Sequence, residues 1–487
     1  MKKLRLSSFL LSVSLVAGLL TPPASAAQAA QQPAPQAAHL TSYAADPTVS
    51  SGGSGILAEM HIEAAAAILV DVDYGQVLYA QNPHAPMYPA SITKVMTTLL
   101  TLEAADRGEL SLEQVVTASQ NLHTGIGEGA STADIRAGEQ MRIIDLLYSA
   151  MLPSANEACN VLAEAVCGSV PAFVERMNQR AAELGMEDTH FSNTHGYHDN
   201  DHYTSAYDIA LMCIEAMKHE TFRTLAGARS YSLPATNEHE QRTVHSTNGL
   251  ITNWRTPTEY LYQYATGIKT GSTNEAGYCL ASSAVKNGRY LIAVVLNAEN
   301  PTENGERRRL QFSESSRLLE WGFDNFTHQI LLDGTRMDIA EVEVTLSSQA
   351  NYVTLRPEGV LEATLPNDLD PSAFTYRTET ELDEDGVIQA PVTEGQVLGS
   401  ISVSYEGITY GALPLVANAS VERSELLYRL DQVQRFFGQT WVKLLLAAVA
   451  VLVVILLVRR ILFGGRRGGR GGYAYSGRSH YSGRRRR

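Results

Sequence analysis

Cysteine is scarce in this sequence: four in 487 residues, Cys159, Cys167, Cys213 and Cys279, with no C-x-x-C pair. That excludes thiolate-rich metal patterns and a redox dithiol. The spacing fits buried thiols as well as a disulfide. A helical zinc motif is also missing, because His239-Glu240 is followed by a histidine only at His245, too far along for H-E-x-x-H. No internal repeat is present, which excludes a solenoid. Acidic residues are absent from residues 1–26 and from 459–487. Of the 38 basic residues, three lie in the first segment and ten in the last. The body between keeps 25 against 52 acidic residues, a net of −27. So acidic a body has no electrostatic footing on nucleic acid.

The two ends supply what the body lacks. Lys2, Lys3 and Arg5 precede an apolar run over 9–20, then Pro22, Pro23 and Ala24-Ser25-Ala26. Charged, apolar and small-residue segments in that order predict a secretory signal peptide over 1–26; the alternative is an uncleaved anchor. Residues 27–58, rich in Ala, Gln, Pro, Ser and Gly, read as a flexible linker. Near the other end, 444–458 is apolar without a break, and Trp441, Val442 and 461–463 extend it to 23 residues. With Lys443, Arg459 and Arg460 reaching toward the interfaces, 441–463 predicts a transmembrane helix. The arginines that follow put the tail, 464–487, on the cytoplasmic side. The expectation is a single-pass cell-membrane protein with its body on the extracytoplasmic face. The tail's Gly, Arg and Tyr (Tyr473, Tyr475, Tyr481) also suit nucleic acid, but beside a span they read as topology control and contact with anionic lipid.

Length suggests two or three units, and a hydrophobic share of 44% is enough for a core. Residues 66–72, the turn Asp73-Tyr74-Gly75 and 76–80 read as strand, turn, strand. Pro89 precedes a helical pattern over 91–102; further helices are expected over 142–151, ended by Pro153, and over 156–167. Residues 265–269, 277–284 and 290–297 read as strands, with Asn287-Gly288 as a hairpin turn. Strands at both ends and helices between predict one α/β (α+β) domain over 59–326, its sheet assembled from the two ends. Over 336–420 the short runs 341–346, 352–355, 400–405 and 408–415 predict a small all-β domain. An amphipathic helix starting at 422 fills the connector, 422–440, before the span.

Three short elements carry chemistry. Ser91-Ile92-Thr93-Lys94 opens a helix, Ser154-Ala155-Asn156 follows Pro153, and Lys269-Thr270-Gly271 ends a strand. Positions i and i+3 share a helix face, so Lys94 reaches the Ser91 hydroxyl. A serine needs a base to become a nucleophile, and a lysine serves once burial or a second cation lowers its pKa. Lys269 is a candidate for that cation. Ser154 is placed to relay a proton to a leaving amine, and Asn156 to hold a substrate amide. Lys269 and Thr270 suit a substrate carboxylate, and Gly271 lets a substrate backbone lie close. Each motif alone is weak; the ordered set is specific.

With the words around them (Tyr88-Pro89-Ala90 before Ser91, Leu152-Pro153 before Ser154, Gly267-Ile268 before Lys269, and Ser272-Thr273 with Ala276-Gly277-Tyr278 after it), these motifs resemble the low-molecular-weight penicillin-binding proteins, the serine D-alanyl-D-alanine carboxypeptidases. Phe191-Ser192-Asn193, Gly196 and 202–208 resemble that family's intervening loop, and the match runs over about 60–420. The resemblance implies a penicillin-binding/β-lactamase-like transpeptidase domain with an antiparallel sheet and a helical part. It implies Ser91 as the acylated nucleophile, Lys94 as its base, and Ser154 and Asn156 as partners. Lys269, Thr270, Gly271 and Ser272 would bind substrate, with the N–H groups of Ser91 and Ser272 forming the oxyanion hole. The implied substrates are peptidoglycan stem peptides ending in D-Ala-D-Ala, with β-lactams as acylating inhibitors and no cofactor. The family's carboxylate-contacting arginine does not align cleanly; Arg309 is the nearest candidate among Arg307, Arg308 and Arg309.

His190, His195, His198 and His202, with Asp188, Asp199 and Asp201, have spacing compatible with a metal, but a polar loop walling the site is the expected reading, with no metal. Two other functions compete: a β-lactamase using Glu157 or Glu128 as deacylating base, and a non-catalytic wall-binding scaffold on the same fold.

Overall fold

The computed structural model describes residues 41–42, 60–303, 305–336, 340–367, 369, 374–380, 387–405 and 408–463. The expected signal peptide, nearly all of the linker and the basic tail lie outside the described residues. The chain divides into two compact units between Asn325 and Phe326.

In the first unit, strands β1 (Thr41–Ser42), β2 (Ala66–Asp71) and β3 (Gln76–Gln81) come from its start. Strands β4 (Ala265–Thr273), β5 (Gly277–Lys286) and β6 (Arg289–Ala298) come from its end. Between them lie helices α1 (Lys94–Asp106), α2 (Ile143–Met151), α3 (Asn156–Cys167), α4 (Val170–Glu183), α5 (Ala206–Ala216) and α6 (Glu220–Gly227); α7 (Leu310–Asn325) follows. The strands form one sheet in the order β1-β3-β2-β6-β5-β4. Every pairing is antiparallel except the short β1 on β3. β2 and β6 join the two ends, with Ile68 opposite Val294. Asn287 and Gly288, both at positive φ, turn β5 into β6.

β2 is apolar from Ala66 to Val70 and buried on both faces, which calls for cover on each side. Ala66, Ile68 and Val70, with Ile292, Val294 and Leu296, enter the main core shared with the helices. The alternate residues Leu69 and Leu291 pack on α7, where a Cβ at Gly322 would lie 2.5 Å from Leu69 Cδ2. Each such leucine contributes about 1.5–3 kcal/mol on burial.

α1 is the central helix. Its residues from Lys94 to Leu102 are all buried, the apolar ones together with Lys94 and three threonines. Two of its threonines are satisfied internally: Thr97 Oγ1 donates to the Thr194 carbonyl at 2.5 Å, and Thr101 Oγ1 to Thr97 O at 2.8 Å. The turn before it, Ala90–Thr93, is a 3-10 helix where a continuous α-helix was expected from Ser91. Ala90 enters that turn at φ +47°, which tightens the first turn. All four cysteines are free thiols, and Cys159, Cys213 and Cys279 are buried. That resolves the disulfide question in favour of packing.

The second unit is β-rich, as its texture predicted. β7 (Phe326–Asp333), β8 (Ala340–Thr345), β9 (Tyr352–Pro357), β10 (Val360–Pro366), β11 (Thr375–Thr380), β12 (Ile388–Gln389), β13 (Val397–Tyr405) and β14 (Ile408–Ala417) precede two helices. Six strands form a sheet in the order β11-β13-β14-β9-β8-β12, and β7 pairs with β10. Helix α8 (Glu425–Gly438) is capped by Ser424, whose hydroxyl accepts from Leu427 N. Helix α9 (Thr440–Phe463) has 24 residues and is long and apolar enough to cross a membrane.

Candidate active site

The fold brings the three motifs to one cleft of about 580 Å³, lined by Ser91, Asn156, Ser272, Tyr197 and Tyr278 among others. Ser91 sits on the 3-10 turn, partly exposed. One turn on, Lys94 is fully buried. Its ammonium lies 2.9 Å from Ser91 Oγ, 2.6 Å from Asn156 Oδ1 and 2.7 Å from the His195 carbonyl. Three acceptors in the low-dielectric interior fix the amine against the hydroxyl it would deprotonate.

Burial pushes the Lys94 pKa down to about 8, against the raising pull of Cys159 and Glu157. Lys269, also buried, is held well below the ordinary lysine value, first by burial and then by the charge of Lys94. Desolvation is thus what lowers the Lys94 pKa, and the influence expected of Lys269 is not among its causes. The Lys269 ammonium donates to the Thr270 carbonyl at 3.0 Å. The Thr270 hydroxyl pairs with Thr247 Oγ1 at 2.5 Å.

Ser154 stands at φ +67° and is 4% exposed. Its hydroxyl makes no hydrogen bond among the described residues. A strained, unpartnered buried hydroxyl costs about 1–3 kcal/mol and marks a functional position. Two residues on, Asn156 opens α3, and its backbone N–H donates to Ser131 O at 2.9 Å.

Two glycines clamp the nucleophile turn. A Cβ at Gly271 would lie 2.7 Å from the Pro89 carbonyl and 3.2 Å from Ser91 N; one at Gly196 would overlap the Ala90 carbonyl at 1.8 Å. A close approach to the chain's own turn therefore already demands glycine at 271, beside the approach of a substrate backbone that the sequence suggested.

The histidine-rich loop walls the site from the other side. His202 Nε2 pairs with Thr93 Oγ1 at 2.7 Å, and its Nδ1 accepts from Ser192 N at 3.0 Å. Burial pushes both His195 and His202 down to about 3, so both are neutral. His190 Nδ1 is engaged by the Asp201 carbonyl, and Asp188 by His84. These groups hold the loop separately rather than converging on one point. The candidate deacylating base Glu157 is likewise occupied: its Oε1 accepts from Thr132 Oγ1 at 2.7 Å and Ala133 N at 2.8 Å.

Sequence reasoning missed the His195 carbonyl, since every residue has one and nothing flags it. It also missed Thr247, which no motif marks. Arg309, the suggested carboxylate contact, turns its guanidinium to the Arg255 carbonyl at 3.2 Å. Arg307 instead lies 5.1 Å from the ring centroid of Tyr278 and hydrogen-bonds its hydroxyl, which puts Arg307 next to a cleft residue.

A family model described as D-alanyl-D-alanine carboxypeptidase matches residues 55–300. The D-alanyl-D-alanine carboxypeptidase DacF of Bacillus subtilis is 31% identical over 369 residues, 75% of this chain and 88% of that one. DacA of Escherichia coli is 30% identical over 390 residues, 77% and 88% of the two chains. Among solved structures, penicillin binding protein 5 from Haemophilus influenzae is similar with a TM-score of 0.60 at 28% identity, covering 75% of this chain and 99% of that one.

Proposed function

This chain belongs to the D-alanyl-D-alanine carboxypeptidases, and from that membership we propose that Ser91 is the residue it acylates. The chain is a serine-type D-Ala-D-Ala carboxypeptidase acting on peptidoglycan stem peptides, and it binds β-lactams. Neutral Lys94 takes the Ser91 proton as Oγ attacks the carbonyl of the penultimate D-alanine. The N–H groups of Ser91 and Ser272 receive the developing oxyanion. The C–N bond breaks, and the departing D-alanine takes a proton from Lys94 through Ser154. Water then adds to the acyl-enzyme, with Lys94 again as base, and releases the shortened peptide and Ser91. Asn156 orients Lys94 and the substrate amide. Lys269 and Thr270 hold the terminal carboxylate, whose charge restores the proton that burial withholds from Lys269 and helps keep Lys94 neutral.

The observation that carries this reading is the 2.9 Å contact between Lys94 Nζ and Ser91 Oγ at the floor of an open cleft. The occupied Glu157 disfavours a β-lactamase, and the intact motif set disfavours a scaffold. We also assign α9 as a single span with the body outside and Arg459 and Arg460 toward the cytoplasm. The test is release of free D-alanine from diacetyl-Lys-D-Ala-D-Ala by the full chain in detergent. Ser91→Ala and Lys94→Ala should each lower the rate by about a thousandfold or more. A Ser91→Ala variant retaining wild-type turnover refutes the assignment.

A further inference from the structure

Resting on the carboxypeptidase reading, we propose that Glu157 is a positioning residue for acyl transfer, pinning the cleft-wall segment 131–135 to α3 so that Asn156 stays set against the Lys94 amine. Glu157 lies in the first turn of α3, next to Asn156, and is 1% exposed. A buried carboxylate is unfavourable unless hydrogen bonds surround it, and this one gathers three donors from a single stretch of chain. Its Oε1 accepts from Thr132 Oγ1 at 2.7 Å, Ala133 N at 2.8 Å and Ile135 N at 3.4 Å. Between these donors Asp134 stands at φ +59°, and its N–H donates to Thr132 Oγ1 at 2.8 Å. The segment therefore curls around one carboxylate oxygen.

The segment matters to the site because its first residue ties down the start of α3. The first N–H groups of a helix have no partner within it, and the residue before α3 is Ala155, whose side chain supplies no cap. The Asn156 N–H donates instead to the Ser131 carbonyl at 2.9 Å. Asn156 Oδ1 in turn receives the Lys94 ammonium at 2.6 Å, and Lys94 reaches Ser91 Oγ at 2.9 Å. Contact thus runs unbroken from Glu157 through the 131–135 segment and Asn156 to the base and the nucleophile. Gly129, Ala130 and Ser131 line the cleft itself. A second anchor holds the other side of the segment. The Ala133 carbonyl accepts from Arg242 Nε at 3.2 Å, and Arg242 pairs with the buried Glu139 at 3.0 Å. That anchor ties the segment to the hairpin of Ser230–Leu233 and Arg242–His245, leaving Glu157 as the hold on the side of α3. What the site needs from Glu157 is reach, not proton transfer.

Two variants separate reach from charge. Glu157→Gln keeps an acceptor oxygen at the same reach without the charge. Glu157→Asp keeps the charge but withdraws it by about 1.5 Å, one carbon–carbon bond. Stopped-flow acylation of the full chain in detergent by a chromogenic cephalosporin gives a limiting rate, a half-saturating concentration and an amplitude. In Glu157→Asp the limiting rate should fall about tenfold or more, with the half-saturating concentration within about threefold of wild type and the amplitude undiminished. In Glu157→Gln the limiting rate should stay within about threefold of wild type, because an amide oxygen still accepts from the segment. A residue that only stabilises the fold would lower the amplitude, the fraction of molecules able to react, and leave the rate of the rest unchanged. That pattern in Glu157→Asp, a wild-type limiting rate there, or a Glu157→Gln rate as low as that of Glu157→Asp overturns the proposal while leaving the hydrolase reading intact. No acylation of the wild type overturns both.

Discussion

Lys94 is a fully buried amine with three hydrogen-bond acceptors and a pKa lowered to about 8. Its neutral form is the base, so the rate of acylation by a neutral β-lactam ester should climb with pH below about 8 and level off above it. The sign follows from burial, which disfavours the protonated form. Stopped-flow acylation across pH 6–10 checks this; a rate that is flat through 8, or that falls, contradicts it. Gly271 gives a second residue-scale expectation. A Cβ there meets the Pro89 carbonyl at 2.7 Å, so Gly271→Ala must shift the turn that carries Ser91. Acylation should drop about tenfold or more, since small displacements of reacting groups cost orders of magnitude, while circular dichroism stays native. The three motifs were readable because serine, lysine and asparagine at fixed offsets on a helix or loop imply contact. The acceptors of Lys94 were only partly readable: Asn156 sits in a motif, whereas the His195 carbonyl is backbone. The packing of Gly271 on the Ser91 turn was out of reach because its neighbour in space, Pro89, lies far off in sequence.

Among the elements, the strands bounding the sheet were legible from continuous apolar runs and the Asn287-Gly288 turn. Helices such as α4 and α7 carry apolar residues on one face only and were passed over. In the second unit β10 and β11 were missed; Thr375–Thr380 is exposed or part-exposed along its length and so gives no alternating signal. α8 and α9 bear the membrane claim. α8 exposes Leu426, Leu430, Val433 and Phe437 at spacings of four, three and four residues, a single apolar stripe. α9 exposes apolar side chains nearly throughout. A chain stopped after residue 423 should move from the membrane pellet to the soluble fraction and still acylate with penicillin. Retention in the pellet after a high-salt wash would place the anchor elsewhere.

For the molecule as a whole, the account rests on topology. The sheet is closed by strands from both ends of the first unit, and that closure lays Lys269-Thr270-Gly271 against the Ser91 turn. No local pattern conveys this juxtaposition; only the ordered motif set did, through resemblance. The position of Arg307 beside Tyr278 was beyond reach for the same reason, since three consecutive arginines look alike until the backbone turns them apart. The most direct test of the central claim is intact-mass spectrometry of the full chain after penicillin, followed by peptide mapping. Wild type should gain one antibiotic mass on the peptide containing Ser91, and Ser91→Ala should gain none. An adduct on the alanine variant, or one mapped to another serine, would contradict the account.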